Sequence, residues 1–383
     1  MAVKIVRQPK KIALIGAPSS AAAFLAGSEK APAALRAAGL VEKLQNAGFE
    51  VIDHGDCAPR LFADDEEHRR ARNLPAIVAG LADLKLRAEV AVKSGALVLV
   101  LGGDCAQVVG LLTGARRYYK SLNLLWLDRD ADLNTPATTP SGRIDGMVVA
   151  NIIGKGAPEM VRFWGDGAIV REPDVLLLGL QRIDPGEQEF LAGSPMRRMY
   201  LQDIQSKGAQ KSAHEALRQV HADAREFVLH IDTDVLDAAE LSSVNVPGAG
   251  GLRFDEARTI LQAIVRHKNL LGLDVAQYNP DKDADGGGAK KLVDLLVEAL
   301  SARLSAEEPA VAEAPTNAVA PVAESAAKTE QREAHAEVVS PEAIPAETIL
   351  EAHSAETNSA DARAESSEAA EDSPEISSSQ SSS

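Results

Sequence analysis

The chain has 383 residues, enough for one large α/β domain with an appendage or for two or three average domains. Its net charge of −16 is concentrated in residues 306–383, where 17 acidic and 3 basic residues give −14, and the remaining −2 on residues 1–305 argues against nucleic-acid binding. Only two cysteines, no apolar stretch typical of a signal peptide and no run of 18 apolar residues argue against a disulfide framework, secretion and membrane insertion, so we expect a cytoplasmic protein.

Short apolar runs bounded by Gly, Pro or polar residues recur along the first 300 or so residues. The run that begins at Lys11 is broken by Gly16 and Pro18, and the run that begins at Ala96 ends in a pair of glycines. Runs that are apolar throughout are typical of strands buried on both faces. We expect strands at residues 11–18, 49–52, 96–104, 124–127, 174–180, 196–201, 226–234 and 269–278.

Segments with helical spacing alternate with these strands. In the first of them, Leu35, Leu40 and Leu44 recur at helical intervals before Gly48. We expect helices at residues 33–47, 75–93, 185–191, 212–224, 255–267 and 287–304, and a further helix that begins at about residue 106. The alternation predicts a parallel sheet covered on both faces, in which ligands bind beyond the carboxyl ends of the strands.

Carboxylates occupy every second position at the ends of two predicted strands. They are Asp128, Asp130 and Asp132 after one strand, and Asp232 and Asp234 at the end of another. In an extended chain such residues share one face, where like charges repel unless a cation neutralises them. Carboxylate oxygens suit hard divalent ions such as Mn and Mg, and a two-metal hydrolytic site needs such a cluster. The alternative interpretation is a solvated strand end followed by a polar turn.

Two other motif interpretations fail. A calcium loop of the EF-hand type would require Gly at the position of Leu133 and Glu at the position of Thr139. A dinucleotide-binding fold would require a G-x-G-x-x-G motif after a strand, and none follows Gly16 or the glycine pair after residue 101.

Seven stretches resemble, in the same order, the motifs of the ureohydrolase family, and within it those of arginase rather than agmatinase. They lie at residues 15–18, 35–44, 102–104, 132–142, 179–187, 232–237 and 250–252. The longest reads Asp132-Leu-Asn-Thr-Pro-Ala-Thr-Thr-Pro-Ser-Gly142, and the resemblance covers about residues 11–304. It implies a three-layer αβα sandwich with a central parallel sheet, and assembly into a homotrimer or homohexamer.

The resemblance also implies the chemistry, which is hydrolysis of a guanidino group by a hydroxide that bridges two Mn ions. The implied metal ligands that this chain keeps are Asp128, Asp132, Asp232 and Asp234. The implied groups at the amino-acid end of the substrate are Asn134, Thr139, Ser141, Asp184 and Glu187. Arg143 stands where the family has Asn, either as a stronger carboxylate ligand or as a surface charge.

The departures from the family pattern are concentrated at the reactive end. The positions of the two His ligands, the His proton shuttle and the guanidinium-binding Glu hold, in this order, Cys105, Asp130, Asp145 and Gln277. None of the eight histidines falls on a family site position. Gln277 cannot carry the charge that pairs with a guanidinium, and losing a buried charged partner costs on the order of 3–5 kcal/mol.

Each altered position has a structural as well as a functional interpretation. Asp130 still suits Mn or Mg, whereas Cys105 favours Zn or Fe or is simply a small buried residue. Asp145 either takes over the role of the lost Glu or caps a helix at residues 146–154. His230 either replaces a lost nitrogen ligand or orients Asp132, or it is a strand histidine satisfied by a neighbouring carboxylate or carbonyl.

Two functions from different classes follow. One is an arginase-like metallohydrolase that cleaves a C–N bond of a guanidino-type amino acid, with arginine giving ornithine and urea. The other is an impaired or inactive paralogue that binds an amino acid or a partner. Metal content separates them, because the enzyme needs bound metal, two Mn ions by resemblance, and the binder needs none.

Residues 306–383 contain no Phe, Trp or Tyr and consist largely of Ala, Glu, Ser, Pro and Thr. Such a segment cannot bury enough apolar surface to offset the entropy of ordering, so we expect it to be a disordered tail. Limited proteolysis should therefore leave a resistant core of about 300 residues, and a chain without residues 306–383 should melt at the same temperature as the full chain. A tail that resists the protease would contradict this expectation.

Overall fold

Eight parallel strands form the centre of the structure, a computed structural model that describes residues 5–165 and 167–305. The tail predicted at residues 306–383 lies outside the described residues. The strands are β1 (Lys11–Ala17), β2 (Glu50–Asp56), β3 (Leu97–Gly102), β4 (Asn123–Leu127), β5 (Val175–Leu180), β6 (Arg197–Tyr200), β7 (Phe227–Asp232) and β8 (Leu270–Ala276). Their order is β2-β1-β3-β8-β7-β4-β5-β6, and every neighbouring pair is parallel. Strands were predicted in all eight places.

The six inner strands are largely apolar because their side chains enter two separate cores, whereas the edge strands β2 and β6 are mostly polar. In β3, Leu99 and Leu101 belong to one hydrophobic core, and Val98 and Val100 belong to the other. Successive side chains of a strand point to opposite faces, so a strand covered on both faces needs apolar residues at every position.

Helices cover both faces of the sheet. One face carries α1 (Ala31–Ala37), α2 (Leu40–Asn46), α8 (Leu201–Lys207), α9 (Ala209–Gln219), α10 (Phe254–Val265) and α11 (Gly287–Ser301). The other carries α3 (Leu74–Lys93), α4 (Val108–Ala115), α5 (Val148–Ile152), α6 (Pro158–Trp164) and α7 (Pro185–Gly193). The three-layer αβα sandwich is therefore confirmed. In the described ranges, no helix combines the length and apolar character needed to cross a membrane.

The helix predictions were wrong in three places. The helix expected at residues 33–47 is divided into α1 and α2, because Gly39 adopts a left-handed conformation with φ of 86°. Helices α6 and α8 were not predicted. Each has seven residues, which is too short for a helical repeat of apolar residues to stand out in the sequence.

The strand ends that carry the carboxylates are less extended than expected. Strand β4 ends at Leu127, and Asp132 has a left-handed φ of 49°. Strand β7 ends at Asp232 and continues into a 3₁₀ turn that contains Asp234. The carboxylates of Asp128 and Asp232 each accept the backbone N–H two residues later, at 2.8 and 2.7 Å. These local hydrogen bonds compete with the extended ladder and turn the chain into the site.

A pair of leucines on α3 tests the packing of this helix. The side chain of Leu84 is 2% exposed and packs against α4 so closely that a Cβ added to Gly110 would lie 2.8 Å from it, whereas Leu86 is 63% exposed. We expect Leu84→Ala to lower the free energy of unfolding by about 2–5 kcal/mol. Leu86→Ala, the control, should change it by less than about 0.5 kcal/mol. Urea denaturation measures both, and equal effects would show that this face of α3 does not hold the fold together.

Candidate metal centre and active site

The candidate site lies where the carboxyl ends of four adjacent strands, β3, β8, β7 and β4, meet at one edge of the sheet. Each strand supplies polar residues at or just beyond its end, namely Cys105, Gln277, His230, Asp232, Asp234, Asp128, Asp130 and Asp132. Because parallel strands end at the same edge, residues that are more than 100 positions apart in the chain come together there.

Two groups of candidate ligands form in this cluster and share Asp128. The inner group consists of Cys105, Asp128, His230 and Asp232, and the outer group consists of Asp128, Asp130 and Asp234. Within each group the candidate ligand atoms all lie within 4.8 Å of one another, and every member is buried except the half-buried Asp130. Asp132, also predicted as a ligand, falls in neither group.

The inner group is tied together by hydrogen bonds from neutral donors. The Cys105 thiol donates to Asp232 Oδ2 at 3.0 Å, and the Trp126 indole N–H donates to Asp128 Oδ2 at 3.0 Å. Among the described residues, no Lys or Arg side chain donates to any member of this group. Its two carboxylates therefore lack a cation.

His230 is fully buried on β7 and has one nitrogen engaged and one free. A hydrogen bond of 2.8 Å joins its Nδ1 to Asp274 Oδ2 on β8, and its ring stacks on Trp126 of β4 with 3.7 Å between centroids. Its Nε2 has no hydrogen-bond partner among the described residues. Asp274 is therefore the carboxylate that satisfies His230, as expected if His230 is simply a strand histidine. The Nε2 atom of His230 nevertheless remains available as a ligand.

Arg182, in the loop after β5, already pairs with two of the three carboxylates of the outer group. Its guanidinium binds both carboxylate oxygens of Asp130, with Nε 2.7 Å from Oδ1, and its Nη2 also donates to Asp234 Oδ2 at 2.9 Å. These carboxylates raise the pKa of Arg182 further, against the effect of its partial burial. We expected these carboxylates to require a cation. In the outer group, the guanidinium of Arg182 is that cation.

Asp145 and Gln277 form a hydrogen-bonded pair beside the inner group. The Asp145 carboxylate accepts the Cys105 backbone N–H at 2.8 Å and a hydrogen bond from the Gln277 amide, whose oxygen accepts from Asn245 Nδ2 at 2.8 Å. The helix-cap interpretation of Asp145 is wrong, because it begins a 3₁₀ turn and its side chain bonds to other parts of the chain. Gln277 has a left-handed φ of 67°, held by its N–H bond of 2.8 Å to Gly103 O.

A cleft of about 320 Å³ opens next to the outer group. It is lined by Phe24, Asp130, Asp132, Asn134, Thr139, Pro140, Ser141, Gly146, Arg182, Asp184, Glu187 and Val246. All five groups predicted for the amino-acid end of the substrate are among them. The cleft therefore connects those groups with the carboxylates.

The polar wall of the cleft is built by hydrogen bonds between loops. Asn134 Nδ2 donates to Asp184 Oδ2 at 2.8 Å, and Glu187 accepts the backbone N–H groups of Leu133 and Asp184, both at 2.8 Å. The Ser141 hydroxyl accepts the backbone N–H of Arg143 at 3.1 Å, which leaves its own proton free to donate into the cleft.

Arg143 itself does not line the cleft. Its guanidinium donates to Ala63 O at 2.9 Å and to Asp64 at 3.1 Å, and it lies over the Phe62 ring at 4.4 Å. With its side chain only 9% exposed it is not a surface charge either, so neither interpretation of Arg143 describes its surroundings.

Burial shapes the electrostatics of the cluster. It raises the pKa values of Asp128, Asp132 and Asp232 well above their usual range, and the neighbouring carboxylates add to the effect. The pKa values of Asp145 and Asp234 rise to about 7, again mainly through burial. Burial and the surrounding carboxylates also raise the pKa of the Cys105 thiol. Without a bound cation, burial and mutual repulsion therefore disfavour the ionised form of these carboxylates.

Two residues of the site were missed from the sequence. Arg182 lies inside one of the recognised motifs, two residues before Asp184, and the question of which cation neutralises the carboxylates could have led to it. Asp274 is a lone charge in the otherwise apolar strand β8, a signal that a buried polar partner faces it.

Most of the chain is similar to proteins of one known family. A family model described as "Arginase family" matches residues 10–301. The chain is 34% identical over 279 residues to Arginase-1 of Rattus norvegicus, covering 71% of this chain and 86% of that protein. It is 28% identical over 291 residues to the arginase of Bacillus caldovelox, covering 75% of this chain and 97% of that protein.

Solved structures give the same result. The crystal structure of arginase from Bacillus subtilis superposes with a TM-score of 0.69 at 28% identity, covering 76% of this chain and 98% of that chain. Formimidoylglutamase from Bacillus subtilis has a TM-score of 0.62 at 17% identity, covering 78% and 88%, and this likeness shows the shared fold alone.

The raised pKa of Asp232 predicts how the metal-free protein responds to pH. A carboxyl group whose pKa is higher in the folded than in the unfolded state contributes stability at low pH, and this contribution is lost as the pH rises through the folded value. Asp232→Asn removes the titration but keeps the geometry, since Asn can accept from the Asp234 N–H and donate to the Cys105 sulfur.

We expect metal-free Asp232→Asn and wild type to be equally stable near pH ~4. At pH ~8 the variant should be more stable by on the order of 1 kcal/mol or more, since one pKa unit corresponds to about 1.4 kcal/mol. A bound divalent ion should reverse this order, because only wild type offers the carboxylate as a ligand. Urea denaturation at both pH values, with and without ion, measures the effect. A metal-free variant that is less stable than wild type at the higher pH would show that Asp232 is not strained by its charge.

Proposed function

This chain belongs to the arginase family, as its motifs predicted, and we propose that it is a metallohydrolase acting on an amino acid with a distal guanidino or amidino group. The proposed reaction is cleavage of arginine to ornithine and urea. The observation that carries the proposal is the cleft that joins the groups expected to bind an amino acid to Asp130 of the candidate ligand cluster. Assembly into a homotrimer or homohexamer and a cytoplasmic location remain predictions.

The outer wall of the cleft supports an α-amino acid as the substrate. Asp184 and Glu187 give this wall a negative pole that can bind the α-ammonium group. The free proton of Ser141 and the Asn134 amide can donate to the α-carboxylate. Opposite charges bound by separate groups distinguish an amino acid from an amine that lacks the carboxylate.

The reactive end requires a counter-charge for the amidinium of the substrate. Gln277 cannot provide it, because a neutral amide has no charge and both ends of this amide are already hydrogen-bonded. Asp145 is the carboxylate next to it, and the adjacent Gly146 lines the cleft. We therefore assign the pairing with the amidinium to Asp145, which Gln277 holds in place.

The donor set fits at least one divalent ion. The four buried residues of the inner group offer sulfur, nitrogen and oxygen ligands, and no cation of the described residues competes for them. An ion there supplies Lewis acidity, which makes water a nucleophile near neutral pH. Two Mn ions, as the family resemblance implies, would require Arg182 to leave the outer group.

The proposal is tested by measuring urea and amine release from arginine with the full chain loaded with Zn, Mn or Fe(II). Agmatine, which lacks the α-carboxylate, is the matched substrate control and should be used far less well. In Asp184→Asn, we expect KM for arginine to rise about 10–100-fold, as for the loss of a charged hydrogen bond of about 1.5–3 kcal/mol, with kcat little changed.

Asp203→Asn on α8 is the matched control variant. Asp203 accepts the Tyr200 N–H at 3.0 Å, a local bond like that between Glu187 and Asp184, but it lies outside the cleft, so KM should not change. If arginine and other amino acids with a distal amidino group yield no product with any of the three metals, the proposed activity is wrong.

A further inference from the structure

The two ligand groups differ in chemistry and in occupancy. The outer group offers only carboxylates, and a guanidinium already binds two of its three members. The inner group combines a thiol, an imidazole and two carboxylates, and no cation of the described residues contacts it. Among the described residues, only the inner group is therefore without a direct contact to a cationic side chain.

Arg182 occupies the outer group in a way that excludes a metal ion. The planar guanidinium of Arg182 binds both oxygens of Asp130 through Nε and Nη2. Its Nη2 also donates to Asp234. A bidentate pair of this kind satisfies the carboxylate in the geometry that Arg prefers. An ion in the outer group would have to compete with a tethered cation that is present in every copy of the chain.

The inner group is prepared for an ion by its surroundings. Asp274 holds Nδ1 of His230, and the stacked Trp126 fixes the plane of the ring, so the free Nε2 is the nitrogen left to bind. A carboxylate that orients a metal-binding imidazole is a common arrangement around Zn. The unpartnered buried nitrogen is the observation that separates this group from a mere acidic cluster.

The ligand types select the ion. Thiolate and imidazole favour Zn over Mn, which prefers carboxylate, carbonyl and water oxygens. Four protein ligands of the types Cys, His and Asp are also the number and kind that Zn usually takes.

We propose that each chain binds a single zinc-like ion in the inner group, through Cys105, Asp128, His230 and Asp232, and that Arg182 takes the place of a second ion in the outer group. The inference rests on the proposed function only in assuming that the site binds metal. Its readouts are metal number and ligand type, so its failure can be told apart from failure of the hydrolase proposal.

The test uses the full chain, stripped of metal and then titrated with Zn or Mn, with bound metal counted by elemental analysis and native mass spectrometry. We expect one Zn per chain and weaker binding of Mn. Loading with Co(II) should give a sulfur-to-metal charge-transfer band. This band should be lost in Cys105→Ser and kept in Cys57→Ser, since Cys57 lies in neither ligand group. In His230→Ala, Zn affinity should fall by about 10–100-fold or more.

Removal of the guanidinium tests the second half of the proposal. Arg182→Ala should bind a second ion, with Mn now accepted in the outer group. Arg36→Ala is its control, because Arg36 also bridges two carboxylates, those of Asp53 and Asp56, but away from the site, and it should still bind one ion.

Each result decides one part of the proposal. Two ions in wild type, no ion, or a cobalt band unchanged in Cys105→Ser would overturn the single thiolate-bound ion, and these measurements hold even if Arg182→Ala fails to fold. A folded Arg182→Ala with only one ion would overturn the role of Arg182. One thiolate-bound Zn without urea release would support the inference and contradict the hydrolase. Two bound Mn ions with urea release would contradict the inference and support the hydrolase proposal.

Discussion

Repulsion among buried carboxylates is the constraint on which the rest of the site depends. Five aspartates converge at the carboxyl ends of β4 and β7, and four of them are buried. Carboxyl groups in such an environment must be neutralised, by a bound proton, by a guanidinium or by metal ions. The structure shows the guanidinium of Arg182 on two carboxylates of the outer group, and burial raises the pKa values of the inner carboxylates, which favours their protonated form.

The backbone around the site has uncommon conformations and lies next to the middle of the sheet. Asp132 and Gln277 both adopt left-handed conformations, which are uncommon for residues other than Gly, and both lie in the site. Trp126, His230 and Asp274 lie side by side on β4, β7 and β8, in direct register across the middle of the sheet. A sheet packed on both faces supplies the stability that such a strained and charged site requires.

The two ends of the site have diverged to different degrees. The end that would bind an α-amino acid keeps five of the groups expected from the family resemblance, which line one cleft, and departs from it at Arg143. At the reactive end, four positions of the family pattern are altered; three of the residues there contact one another, and the fourth, Asp130, contacts Arg182. Cys105, Asp145 and Gln277 form one hydrogen-bonded chain, so the altered residues act as a connected set rather than as independent losses.

The sequence by itself determined the positions of all eight strands, the αβα architecture and most of the residues that gather at the carboxyl edge. It could do so because a strand covered on both faces leaves a local apolar pattern, and because parallel strands end at one edge. Only the tertiary structure decided that Arg182 binds Asp130, that Asp145 pairs with Gln277 instead of capping a helix, and that Arg143 turns away from the cleft. Those contacts join groups that are 52 to 132 positions apart, and periodicity along a chain carries no information about which distant groups meet.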